Sequence, residues 1–147
     1  INEIDKLAAY RREGRITNAD VSLLVFKRTD LSIFDLIDAM SIKNKPRALE
    51  LLYRELKNDR DPYYILTMII YQFRSLLLIK DLGKRGCSES EIVKRSKIHP
   101  FVVKKTLKSP IDLADAVKIY NSLLAFDTGF KIGRIDLEGS LYSIVLS

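Results

Sequence analysis

Apolar residues recur at helical spacing along almost the whole chain, and no stretch sustains the alternation of a half-buried strand. Ile4, Leu7 and Ala8 form a short stripe that ends near Gly14. Thr17 has the chemistry of an N-cap, with Asp20 three residues on, and predicts a helix through Val21, Leu24 and Val25. The polar residues between Phe26 and Leu31 predict a boundary. Ser32 with Asp35 repeats the capping pattern, and Ile33, Ile37 and Met40 follow on one face.

Pro46, after Lys43-Asn44-Lys45, suits the first turn of the next helix, which carries Leu49, Leu52, Tyr53 and Leu56. A break at Asn58 to Asp61 precedes Pro62, which opens the longest helix, to about Lys84. From Ile65 to Ile79 that helix is apolar nearly all round, as a central buried helix is. Gly86 stops it, and Ser88 with Glu91 forms a capping box for a short helix through Ile92 and Val93. A second short helix runs from Pro100 to about Lys108. After the Ser109-Pro110 breaker, Asp112 starts a longer helix with Leu113, Val117, Tyr120 and Leu124 on one face. Gly133 marks a turn before a last helix bearing Leu137, Leu141, Ile144 and Val145. The expectation is an all-α helical bundle with short connections.

Charge alters this picture in one place. The net charge is +6, and between Gln72 and Pro110 ten basic residues face only Asp81, Glu89 and Glu91, so that segment holds the whole positive excess. Such a segment is either a solvated Lys-rich face or a surface for phosphate. One cysteine, Cys87, excludes an internal disulfide, and one cysteine with one histidine cannot supply a Cys/His zinc site. No apolar run reaches the roughly 20 residues that span a bilayer, and no signal-peptide layout is present, so a cytoplasmic protein without a membrane partner is expected. The first residue, Ile1, suggests a piece of something longer.

Catalytic chemistry is hard to find. Gly83-Lys84-Arg85-Gly86-Cys87-Ser88 lacks the spacing of a phosphate-cradling loop and follows a helix instead of a strand. His99 stands before Pro100 without a nucleophile or acid in sequence reach, and Cys87 is a lone turn thiol. No cofactor or metal is expected, and a small helical enzyme would have to rest on those two residues. The two short helices between Ser88 and Lys108 outline a helix-turn-helix, the main alternative reading. Against sequence readout, Val93 and Lys97 stand where a small residue and a glycine are wanted, and the second helix lacks a base-reading set. Its lysines suit phosphates.

Several phrases, in order, carry a resemblance: Asn2-Glu3-Ile4-Asp5-Lys6-Leu7, Ile16-Thr17-Asn18-Ala19-Asp20-Val21, Ser32 through Met40, Ala48 through Leu52, Tyr71-Gln72-Phe73-Arg74, Ile98 through Lys105, and Asp127 through Arg134. Together they resemble the carboxy-terminal part of the delta subunit of the bacterial DNA polymerase III clamp loader. The resemblance implies a lid-domain remnant of an AAA+ module over 1–28 and an oligomerising collar domain over 31–147. It implies a non-catalytic subunit fragment that assembles into a pentameric loader with delta-prime and gamma/tau subunits, meets primer-template DNA in the complex, and leaves the sliding clamp to an amino-terminal domain outside this chain. Tyr120, Phe126 and Phe130 exceed what one buried stripe accommodates and are the candidate subunit interface. Lys104, Lys105, Lys131 and Arg134 are the candidate DNA-backbone contacts. Gly129 departs from the helix-forming residue usual in the family, at a cost of about 1 kcal/mol in propensity, which predicts an earlier helix end or a looser loop at Lys131 to Arg134.

Overall fold

The computed structural model describes residues 32–147, so the expectations for the stripe at Ile4, the cap at Thr17, the boundary after Phe26 and the 1–28 segment lie outside the described residues. Within them the chain is helical throughout: α1 over 32–41, α2 Lys45–Lys57, α3 Pro62–Lys84, α4 Glu89–Ser96, α5 Pro100–Lys108, α6 Leu113–Lys131 and α7 Leu137–Leu146. Ser32 already has helical backbone.

The helix ends follow local chemistry. Asn44, Asp61, Asp112 and Asp136 accept a backbone N–H of the first turn at α2, α3, α6 and α7. At α4 the capping box is complete: the Ser88 hydroxyl accepts from Glu91 N, and the Glu91 carboxylate accepts from Ser88 N at 2.7 Å. That backbone bond holds the Glu91 carboxyl below its ordinary range. Three helices close in the same way, with the residue beyond the end in left-handed conformation and bonds reaching back three and five residues. Gly86 fills that position after α3 and Gly133 after α6, but Lys43 fills it after α1 at a φ of 55°.

α3 is the axis of the bundle. It packs against α4, α5, α6 and α7, while α2 and α6 also pack against α7. Ile65, Leu66, Ile69, Phe73 and Leu76 of α3 join the main core with Ile33, Leu36 and Ile37 of α1, Leu51 and Leu52 of α2, Leu123 of α6, and Leu141 and Ile144 of α7. Ile79 of α3 and Phe34 of α1 instead join Ile92, Val102 and Val103 in a second core under α4 and α5. Its burial is not complete all round, as the apolar sequence suggested: Tyr64, Thr67, Tyr71, Arg74 and Leu78 form an exposed stripe at heptad spacing.

Two other helices divide their apolar residues between core and solvent. On α2, Ala48, Leu51, Leu52 and Glu55 are buried, while Tyr53 is 56% exposed. Glu55 meets Arg60 in an ion pair at 2.6 Å, an ionic contact and not an aligned hydrogen bond. On α6 the inward residues are Ala116, Tyr120, Leu123, Phe126 and Phe130, and Val117 and Leu124 point outward. Both helices have two apolar stripes, and the smaller residues mark the one that approaches its neighbour.

Gly129 is one of those small residues. α6 runs through it to Lys131, so it does not end the helix early. A Cβ at Gly129 would lie 2.2 Å from Ile135 Cδ1 and 3.0 Å from its Cγ1, so the glycine lets the following turn pack onto the helix. Gly129→Ala gains about 1 kcal/mol of helix propensity but overpacks at a cost of about 1–3 kcal/mol. The net expectation is a loss of about 1 kcal/mol in urea denaturation. Adding Ile135→Val removes the clashing atom, and the double variant should lose less than the two single changes summed. Strict additivity would show that Ile135 is not the constraint.

Candidate functional site

The basic segment folds into the end of α3 together with α4 and α5. Arg74, Lys84, Lys94, Lys97, Lys104 and Lys108 are exposed, and none has an ion-pair partner among the described residues. Arg85 pairs with Asp81 at 2.9 Å. Lys80 is half-buried and donates to the Ser109 carbonyl at 2.6 Å, tying α3 to the end of α5, with burial lowering its pKa.

The two lysine candidates on α5 differ sharply. Lys104 is exposed. Lys105 turns toward α1, where its ammonium lies 3.2 Å from Asp35 and 3.1 Å from Asp38 and sits over the Phe34 ring at 5.5 Å. Its charge is thus engaged in joining α5 to α1. On the outer side of α5, Lys104 and Lys108 share one exposed face, which offers phosphate-seeking charges but no Asn, Gln or Arg for base edges. Lys97 ends α4 in left-handed conformation, φ 55°, at the turn where the helix-turn-helix pattern wants glycine. The His99 imidazole accepts from Phe101 N at 3.2 Å and so caps α5.

The other pair lies elsewhere. Tyr63, at the start of α3, stacks on Phe130 at 5.2 Å, so α6 runs antiparallel to α3 and brings its end to the far end of the bundle. Lys131 and Arg134 are therefore roughly 20 Å along α3 from Lys104, at 1.5 Å per residue. Lys131 is exposed and bonds Asp127 at 2.7 Å, which raises its pKa through the hydrogen bond and the carboxylate charge. Arg134 is exposed in the turn after α6. The four candidates do not form one patch.

α6 carries the candidate contact surface. Only Ala116, Leu123 and Gly129 of this helix are fully buried. Tyr120, Phe126 and Phe130 are half-buried against the main core. Val117 is 41% and Leu124 is 38% exposed, and with Asn121 and Thr128 they make an outward stripe. Sequence reasoning put Val117, Tyr120 and Leu124 on one face, which the structure divides, with Tyr120 toward the core; Ala116 and Gly129 were the signal for the buried side. Among the described residues no group of three or more His, Cys, Asp and Glu could hold a metal, and no helix is long and apolar enough to cross a membrane. Cys87 is half-buried beside the second core.

The bundle thus shows solvent a mixed stripe on α6 and a lysine-rich face at α4 and α5. Residues 30–147 match the family described as "DNA polymerase III delta subunit, C-terminal domain", and the chain belongs to that family. It is 34% identical over 139 residues to the DNA polymerase III subunit delta of Bacillus subtilis (strain 168), covering 92% of this chain and 40% of the relative. The structure resembles the Bacillus subtilis DNA clamp loader delta protein (YqeN) with a TM-score of 0.76 and 28% identity, over 98% of this chain and 43% of that one. The chain thus spans less than half the length of these relatives. Membership replaces the helix-turn-helix alternative, and the α4–α5 pair takes its place as one part of the bundle.

The charge arrangement has a measurable consequence. Binding of the chain to duplex DNA is expected to be weak, indifferent to sequence, and to fall by about one power of salt concentration per phosphate contact. Fluorescence anisotropy at several salt concentrations, with two unrelated duplexes, is the measurement. Lys104→Glu should weaken both equally without lowering the melting temperature. Lys105→Glu should also lower the melting temperature, because it sets a carboxylate against Asp35 and Asp38. A preferred sequence, or binding insensitive to salt, would contradict this.

Proposed function

We propose that this chain is the ring-forming part of a clamp-loader delta subunit, without catalysis of its own, which joins delta-prime and gamma/tau subunits in the pentamer that loads the sliding clamp during replication. In this reading 31–147 is the collar domain and 1–28 a remnant of the AAA+ lid, and the family match beginning at residue 30 supports that division. The grip on the clamp belongs to the part of delta outside this chain. The protein works in the bacterial cytoplasm, with Lys104, Lys131 and Arg134 as contacts for the backbone of primer-template DNA in the complex.

One observation carries the assembly reading: α6 leaves Val117 and Leu124 to solvent although it is one of the longest helices of the bundle. A ring of unlike subunits needs non-identical faces on each member, so contact is heterologous and the isolated chain stays monomeric. Tyr120, Phe126 and Phe130 back this surface from beneath, so their truncation would disturb both core and contact.

The test is co-elution of the chain with the other loader subunits at micromolar concentration, with circular dichroism as control. Val117→Asp and Leu124→Asp should each weaken association by about 1–3 kcal/mol, as interface hot spots do, with helical content unchanged. Phe130→Ala should cost association and stability together, since it loses its stack on Tyr63. Failure of the wild-type chain to join those subunits would overturn the collar assignment.

A further inference from the structure

A cleft of about 370 Å³ lies where the turn between α1 and α2, the flank of α6 and the end of α7 meet. Its floor is apolar and preformed: Met40, Ile111 and Val145 are at most 8% exposed, and Ile119 is half-buried beside them. Its rim is cationic. Lys43, Lys45 and Lys118 line it, and Asp115, which pairs with Lys118 at 3.1 Å, is the one acidic side chain of the lining. Lys43 and Lys45 are exposed and have no ion-pair partner among the described residues.

The backbone supplies a second observation. Lys43 occupies the left-handed position that closes α1, with φ 55°, where Gly86 and Gly133 stand at the two matching helix ends. A side chain there is strained, yet this one lies at the rim of the cleft. The rim also carries hydroxyls from Ser41 and Ser122, each donating to a carbonyl of its own helix, so their oxygens remain free to accept amide protons.

We propose that this cleft docks a short acidic segment of a partner protein, with one or two bulky apolar side chains seated on Met40, Ile111 and Val145 and its carboxylates set against Lys43 and Lys45. The size suits a few side chains and not a whole helix face. Charge complementarity selects acidic over basic or neutral segments. A purely ionic ligand such as free phosphate would gain nothing from the apolar floor.

The probe is a fluorescein-labelled hexapeptide, Asp-Asp-Leu-Phe-Asp-Asp, titrated into the whole chain, with two counterparts: aspartates replaced by asparagine, and Leu-Phe replaced by Ser-Ser. The expected result is saturable binding below about 1 mM, weakened at least about fivefold by either replacement. Methyl signals of Met40, Ile111, Ile119 and Val145 should shift with the same midpoint. Lys43→Gly relieves the strained backbone, so it should leave the melting temperature unchanged or higher while weakening the peptide about threefold or more, and Lys45→Ala should add to that loss. Lys104→Ala, on α5, should have no effect. No saturable binding by about 1 mM, undiminished binding in the Lys43→Gly, Lys45→Ala double variant, or methyl shifts away from the cleft would each overturn the proposal. Because the chain is tested alone, failure here is separate from failure of ring assembly.

Discussion

Everything in this bundle depends on the burial of α3. Ile65, Leu66, Ile69 and Phe73 are fully buried in the main core, and Ile79, two turns further on, is fully buried in the second. Truncating one such side chain to alanine costs about 2–5 kcal/mol, against a total stability of about 5–15 kcal/mol for a domain. One helix thus holds both cores in register, and a single large loss along it would loosen α4–α5 and α6–α7 alike. α1 reinforces the coupling, since Phe34 enters one core while Ile33, Leu36 and Ile37 enter the other.

That arrangement decides which surfaces are free for function. α3 packs against α4, α5, α6 and α7, so its stripe of Tyr64, Thr67, Tyr71, Arg74 and Leu78 and the outward sides of those helices face solvent. α5 spends Val102, Val103 and Thr106 on packing and Lys105 on the tie to α1, leaving Lys104 and Lys108 for solvent. α6 spends its larger aromatics beside the core and shows Val117 and Leu124 outside. The division between packing and contact is thus made within single helices, one stripe against another.

Much of this was legible from local chemistry. Pro62, Gly86, the Ser88–Glu91 box, Pro100, Asp112 and Gly133 each mark a helix end by a mechanism confined to a few residues, and each stands where the structure has one. What local chemistry could not supply was helix phase. In α2 and α6 two apolar stripes compete, and only the neighbour's shape decides that Ala48 and Ala116 turn inward while Tyr53 and Val117 turn out. Gly129 was misread for the same reason: its propensity cost is local, but the closeness of Ile135 that requires it is tertiary. The lysines were legible as a charged segment and not as a surface, because the Asp35 and Asp38 carboxylates that claim Lys105 lie about seventy positions away in sequence.

The contact face proposed for this chain is the outward stripe of α6, with Val117 and Leu124. The direct measurement is maleimide labelling of Leu124→Cys in a Cys87→Ser background, with and without the other loader subunits. Assembly is expected to slow labelling at this position at least about tenfold, as burial in an interface core excludes reagent with solvent. Labelling of Lys104→Cys in the same background should stay fast. A complex that forms while the position at Leu124 labels as quickly as in the free chain would contradict the claim.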